Sequence, residues 1–236
     1  MAEGHELRQK ILTACRILSH RRLVEAFGHF SARAPGAETF FITPRRSLRL
    51  VTRAEHLVEV NLDGHKVAGE ADPPLEVPIH SCLYRDRAEV GAVARIHSFH
   101  ASVLGVLGLG VRVVHDFGAT LLGGAEVFPE SDLIETDELG ARLADFIGPS
   151  SGVLLRGNGT AIVGRDAVEA CVRAVFLEES ALIQYRAMRL GSPRFFTPEE
   201  TEARGRQLLE GAHLLRAWEH YRAEAGAAMP QARGDE

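Results

Sequence analysis

Lysine is nearly absent from this 236-residue chain: Lys10 and Lys66 are the only two among 27 basic residues, and the other 25 are arginine. An enzyme working through a lysine Schiff base needs a desolvated amine in its core. Lys10 lies in a polar helical pattern and Lys66 in a hairpin pattern, so that chemistry is excluded. Cysteine is scarce as well. Cys15, Cys82 and Cys171 are odd in number, widely spaced, set in helical patterns and form no CxxC pair. They read as reduced core thiols, which points to the cytoplasm and leaves no cysteine zinc site. Long apolar runs are missing too: the longest, 101–111, is broken by glycines and falls short of the roughly 20 residues a membrane span needs. Met1–Lys10 lacks the apolar segment of a signal peptide. With a net charge of −5 and no basic stripe, nucleic acid is not an expected partner. No GxxxxGK loop occurs, and the glycine pairs Gly108/Gly110 and Gly157/Gly159 have Val113 and Ile162 where a dinucleotide fingerprint needs its third glycine.

What remains is an ordinary globular composition, 45% hydrophobic and 25% charged, which can fill one sizeable core. Leu7, Ile11, Cys15 and Leu18 fall at helical spacing. Residues 29–35, 39–43 and 57–62 alternate like strands, and Asp63-Gly64 turns the last of these back through 65–68. Pro73-Pro74 leads into a helix starting near Leu75 or Glu76. Residues 90–96 read as a buried strand ending at His97-Ser98, and 101–107 as a short helix. Residues 136–147 form a helix stopped by Gly148-Pro149. Residues 153–156 and 161–163 flank the turn Gly157-Asn158-Gly159. Asp166 with Glu169, and Thr197 with Glu200, are capping-box patterns opening two further helices. The expectation is a single α/β domain over 1–225 with a mixed or antiparallel sheet, followed by a disordered tail over 226–236.

The histidines carry the functional signal. There are eleven, and His97, His100 and His115 lie close together. His97 stands at the C-terminal end of the buried strand, where open sheets present functional groups. Glu76, at a helix start, has His80 one turn later on the same face. A carboxylate beside imidazoles can act as general acid or base, and it can equally be a helix-N-terminal carboxylate stabilised by the dipole.

The run Phe27-Gly-His-Phe-Ser-Ala-Arg33, Phe41-Ile-Thr-Pro44, Leu57–Gly64, Pro74-Leu-Glu76 with Ile79-His80, Val93-Ala-Arg-Ile-His-Ser98 and Leu154–Gly159 resembles the class II aldolase/adducin family. The resemblance covers roughly residues 5–190. It implies an α/β/α sandwich around a central, mostly antiparallel sheet, and a homotetramer with active sites at subunit boundaries. Family members include metal-dependent sugar-phosphate aldolases, epimerases, a dehydratase, decarboxylases of hydroxylated aromatic acids, and adducin-type members without enzymatic activity.

The resemblance also locates the site, and there the chain departs from the pattern. The family's divalent metal (zinc, manganese or iron) is held by a His-x-His pair and a later histidine. Those positions hold Arg95, His97 and Asn158, while the family's acid/base is kept as Glu76. Arginine has only donors, so it cannot ligate a metal. Two alternatives follow: a rearranged metal site on His97 with His115, His100, Glu76 or Asn158, or no metal, with Arg95 supplying the charge. Phosphate-binding hydroxyls are replaced by Pro74-Leu75 and Arg45-Arg46. Arginine forks suit carboxylates. Together these imply a carbon–carbon lyase, a decarboxylase of a hydroxy-aromatic or 2-oxo carboxylic acid. Glu76 or His115 would carry the proton, and a metal at His97 or Arg95 would be the electron sink. His29, Ser31, Arg45, Arg46, His80 and His100 would contact the substrate. The alternatives are a metal-dependent aldolase or epimerase on an unphosphorylated hydroxy-carbonyl compound, and a non-enzymatic assembly protein.

Overall fold

A computed structural model of the protein describes residues 2–227. Its elements, in chain order, are α1 (Ala2–His20), β1 (His29–Ala32), β2 (Thr39–Ile42), β3 (Val58–Asn61), β4 (Lys66–Ala68), α2 (Val77–Asp86), β5 (Ala92–Ile96), α3 (Phe99–Val106), β6 (Ala125–Phe128), α4 (Asp137–Ile147), β7 (Gly152–Leu155), β8 (Thr160–Gly164), α5 (Ala167–Leu190), α6 (Pro198–Glu210) and α7 (His213–Ala227). The strands form one eight-stranded sheet in the order β4-β3-β2-β1-β5-β8-β7-β6. Every neighbouring pair is antiparallel except β6–β7.

The sheet separates two hydrophobic cores, which makes the domain an α/β/α sandwich. Side chains alternate across a strand, so Phe30, Ala32, Ala92, Ala94 and Ile96 pack toward α1 and α5. Val93, Val153, Leu155, Ala161 and Val163 pack toward α2 and α4. On this second face the alternation continues with polar residues: His29 and Ser31 on β1, and Arg95 on β5, which lies opposite His29 in the register. The polar site is therefore built into the α2 side of the sheet at its centre.

Local signals place the helices. Thr136 caps α4 by accepting from the Leu139 amide, and Thr197 and Glu200 complete a reciprocal capping box on α6. Glu76 occupies the N-cap position of α2, one residue before the helix proper, with Pro78 in its first turn. Gly159 turns β7 into β8 with φ of +82°, and a Cβ there would run into the Ile96 carbonyl. Only glycine lets this turn lie against the end of β5, and that approach delivers Asn158 to the site.

Three features depart from the sequence-based expectation. β6 is a four-residue strand between Gly124 and Pro129, too short for periodicity to separate it from a loop. α7 was not anticipated, and its last turn contains Gly226 and Ala227, which the expected tail included; 228–236 lie outside the described residues. α3 begins at Phe99, two residues early, with Ser98 at its N-cap position. Cys15, Cys82 and Cys171 are buried and unpaired with one another. Among the described residues no helix is long and apolar enough to cross a membrane.

Candidate active site

A cavity of about 470 Å³ opens where the loop before β1, the loop after β2, the start of α2, the end of β5 and the β7–β8 turn meet. His29, Arg45, Arg46, Glu76, Arg95, His97 and Asn158 all line it. The mouth is apolar: Phe27, Leu75 and Leu133 are large side chains exposed at its edge. Arg45 and Arg46 are exposed, whereas Glu76 and Arg95 are buried. Two exposed cationic forks thus stand near solvent, and one buried ion pair stands at depth.

That ion pair organises the site. Arg95 Nη2 lies 3.0 Å from Glu76 Oε2. Arg95 Nη1 donates to His97 Nε2, which leaves the His97 hydrogen on Nδ1. The buried Arg95 Nε has no partner among the described residues. A buried guanidinium donor left without an acceptor is costly. Glu76 gathers further donors: His29 Nε2 at 3.4 Å from Oε2, and Asn158 Nδ2 at 3.4 Å from Oε1.

Burial raises the Glu76 pKa above the ordinary carboxylate value; Arg95, His97 and the Ile134 backbone pull it down without cancelling the effect. Burial lowers His97 to about 4, with the Arg95 charge adding to it. Burial also holds His29 and His80 well below 6.5, helped by Arg95 and by neighbouring histidines. The native site is therefore a neutral-imidazole pocket with one carboxyl group able to take a proton.

The three histidines make stability fall in acid, and the sign follows from linkage. In the unfolded chain they titrate near 6.5, while the native chain leaves them neutral down to about 4 for His97. Below pH 6.5 the unfolded state binds more protons, so stability drops as pH falls through that range. Glu76, with its raised pKa, acts in the opposite direction and offsets part of the drop. Urea midpoints between pH 7 and pH 4.5 are expected to decrease, and His80→Gln should reduce the slope by about one proton. A slope unchanged by that substitution would contradict the buried neutral assignment.

The family's metal can be tested against this donor set. His97 Nε2, the lone pair a metal would need, accepts from Arg95 instead. Arg95 brings a fixed positive charge to a position where the family supplies a ligand, and the Asn158 amide nitrogen donates to Glu76. Among the described residues no group of three histidine, cysteine, aspartate or glutamate side chains could hold a metal ion. The expected metal pair His97 and Asn158 is thus brought to one cavity but not to one ligand set.

Of the other expected residues, His80 and Ser31 lie beneath the cavity, bonded to each other, and His80 is bonded to His29 as well. His100 and His115 do not line it. His100 binds Glu178 at 2.7 Å and His115 binds Ser180 at 2.9 Å, both on α5. Tyr84, bonded to Ser31, was missed, although its spacing of four from His80 and eight from Glu76 was the available signal. Leu133 was also missed; it sits in a loop with no periodicity to read.

Comparison with known proteins agrees with this architecture. The profile of the Class II Aldolase and Adducin N-terminal domain matches residues 9–185. A 3,4-dihydroxyphthalate decarboxylase of Terrabacter sp. is 31% identical over 93% of this chain and 97% of its own length. Decarboxylase tropJ of Talaromyces stipitatus is 30% identical over 88% of this chain and 89% of its own. Among solved structures, an aldolase II superfamily protein from Pseudomonas syringae superposes with a TM-score of 0.82 at 23% identity, covering 94% of this chain and 93% of the other.

Proposed function

The chain belongs to the class II aldolase and adducin family, and on that premise we propose that it is a carbon–carbon lyase that decarboxylates a hydroxylated aromatic dicarboxylate. The observation that carries this reading is the charge layout of one cavity. Arg45, Arg46 and Arg95 line it with a single carboxylate, Glu76, and with apolar Phe27, Leu75 and Leu133. A flat ring suits the apolar walls, and two acidic groups suit an arginine at depth and a pair at the rim. The decarboxylase names of the relatives support the reaction class.

Arg95, rather than a metal, is the electron sink in this reading. Protonation of the ring carbon that bears the leaving carboxylate converts the adjacent phenolate to its ketone form; when carbon dioxide then departs, the electrons of the broken C–C bond restore the aromatic ring and return negative charge to that oxygen. A guanidinium held rigidly in a buried site stabilises that charge without reorganising. Protonated Glu76 delivers its proton to that ring carbon before the C–C bond breaks, and regains one from solvent afterwards. While Glu76 holds a proton it no longer neutralises Arg95, so the guanidinium is free for the substrate anion. Arg45 and Arg46 hold the carboxylate that stays. The one that leaves must be the less tightly bound, because strong binding of it would oppose the reaction.

The same reading carries a homotetramer with sites at subunit boundaries. Exposed Phe27, Leu75, Phe99, Val106 and Leu107 support it, and His100 and His115 would then act from a neighbouring copy. The compartment is the cytoplasm, in keeping with three unpaired buried thiols.

The test is carbon dioxide release from 3,4-dihydroxyphthalate, with 4-hydroxybenzoate as the single-carboxylate control. Turnover of the first and little of the second is expected. The Arg45→Ala/Arg46→Ala double variant should raise KM about tenfold or more with kcat nearly unchanged, since rim charges contribute binding common to ground and transition states. Absence of both turnover and calorimetric binding of the dicarboxylate would overturn the proposal.

A further inference from the structure

Beneath the cavity two polar ladders interlock. Alternation along β1 turns His29 and Ser31 toward α2, and four-residue spacing puts Glu76, His80 and Tyr84 on the facing stripe of α2. They interleave into one chain. His29 Nε2 lies 3.4 Å from Glu76 Oε2, and His29 Nδ1 lies 2.6 Å from His80 Nε2. His80 Nδ1 lies 2.6 Å from Ser31 Oγ, which lies 2.7 Å from the Tyr84 hydroxyl. All five residues are buried; His80 and Ser31 are 0% exposed. An apolar interface would pack as well, and burying this many polar groups is tolerable only when each is bonded.

The chain has a direction. Glu76 Oε2 faces the Arg95 guanidinium at 3.0 Å and is therefore an acceptor, so His29 carries its hydrogen on Nε2 and donates it there. A neutral imidazole has one donor and one acceptor. His29 Nδ1 then accepts from His80 Nε2, and His80 Nδ1 accepts from the Ser31 hydroxyl, whose oxygen takes the Tyr84 hydrogen. The reverse direction would leave an imidazole lone pair facing the lone pairs of Glu76 Oε2.

We propose that Tyr84, Ser31 and His80 are positioning residues that lock His29 as the Nε2–H tautomer, so that His29 can only donate to Glu76 Oε2 and the transferable proton of Glu76 is carried on Oε1. Oε2 already receives Arg95 and His29, whereas Oε1 meets only the longer Asn158 contact. The consequence for turnover rests on the decarboxylase reading above; the tautomer assignment does not.

The experiment therefore has an arm without substrate. Long-range imidazole correlations in the histidine-15N-labelled full chain should show both His29 and His80 bearing hydrogen on Nε2. Ser31→Ala removes the donor to His80 Nδ1 and should produce Nδ1–H signals at both rings. His80→Gln is the discriminating variant: its amide oxygen accepts from Ser31 and its amide N–H donates to His29, so the His29 tautomer should survive. His80→Leu keeps volume but not direction. With 3,4-dihydroxyphthalate, His80→Gln should retain kcat within about threefold, while His80→Leu and Ser31→Ala lose roughly tenfold or more in kcat at unchanged KM, part of the 10²–10⁴ attributed to general acid catalysis. An Nδ1–H tautomer at either ring of the unaltered protein overturns the proposal. So does equal activity of His80→Gln and His80→Leu. If the dicarboxylate is not turned over at all, the decarboxylase reading fails while the tautomers still decide the chain.

Discussion

Arg95→Gln is expected to lower kcat/KM by about 10²–10³-fold, the range seen when one donor to a developing oxyanion is removed. Glutamine retains one amide donor of neutral character but neither the charge nor the fork. Its fall should appear mainly in kcat, because the charge it stabilises is greatest in the transition state. Arg95→Lys should recover only part of the loss: an ammonium supplies the charge but cannot contact Glu76 and His97 in the two directions that the guanidinium does. The unaltered protein, treated with chelator and dialysed, is expected to keep its full rate. A rate that vanishes on chelation and returns with zinc, manganese or iron, while Arg95→Gln remains active, would overturn the assignment of Arg95 as electron sink. Thermal melting should accompany these assays, because Arg95→Gln leaves Glu76 buried without its partner. Breaking a buried pair costs about 3–5 kcal/mol. The loss here is smaller to the extent that Glu76 takes up a proton, as its raised pKa allows.

Glu76→Gln should reduce kcat by about 10²–10⁴-fold, with KM little changed, because it removes the proton carrier while keeping the side-chain shape. The amide must turn its oxygen toward Arg95 and His29, both donors, so its NH2 faces Asn158, whose own amide then reverses. The pH dependence provides the independent check. In the proposed mechanism Glu76 acts in its protonated form, and protonation declines as pH rises through its raised pKa. The rate of the unaltered enzyme should therefore fall on the alkaline side of that value. Glu76→Gln should show a low, flat rate across the same range. Persistence of the alkaline fall in the variant would assign the proton to another group.

Much of this site was legible in the sequence because it depends on short-range spacing. Glu76 and His80 sit four apart and Arg95 and His97 two apart, spacings that any helix and any strand turn into shared faces. The motif order led to the family, and the family to the cavity-lining positions His29, Arg45, Arg46, Glu76, Arg95, His97 and Asn158. His100 and His115 were drawn in by nearness along the chain to His97. In the fold they turn to Glu178 and Ser180 on α5, because α3 and the loop after it pack there. β6 and α7 lacked distinctive signals: one is four residues long and the other follows a break at Gly211.

The near-absence of lysine, the scattered cysteines and the arginines at ligand positions were settled by residue identity, since no packing can give a guanidinium a lone pair or create a missing amine. Period alone likewise determined that His29 and Ser31 share a face of β1, and that Glu76, His80 and Tyr84 share a face of α2. Only the tertiary structure decided that these two faces meet, that Arg95 turns to Glu76 and His97, and that Glu76 Oε2, paired with Arg95, gives the buried chain its direction. The contacts between the two faces span 47 to 53 residues of chain. Local periodicity carries no information about such distant partners; they are chosen by the non-local pairing of β1 with β5 and the packing of α2 across them.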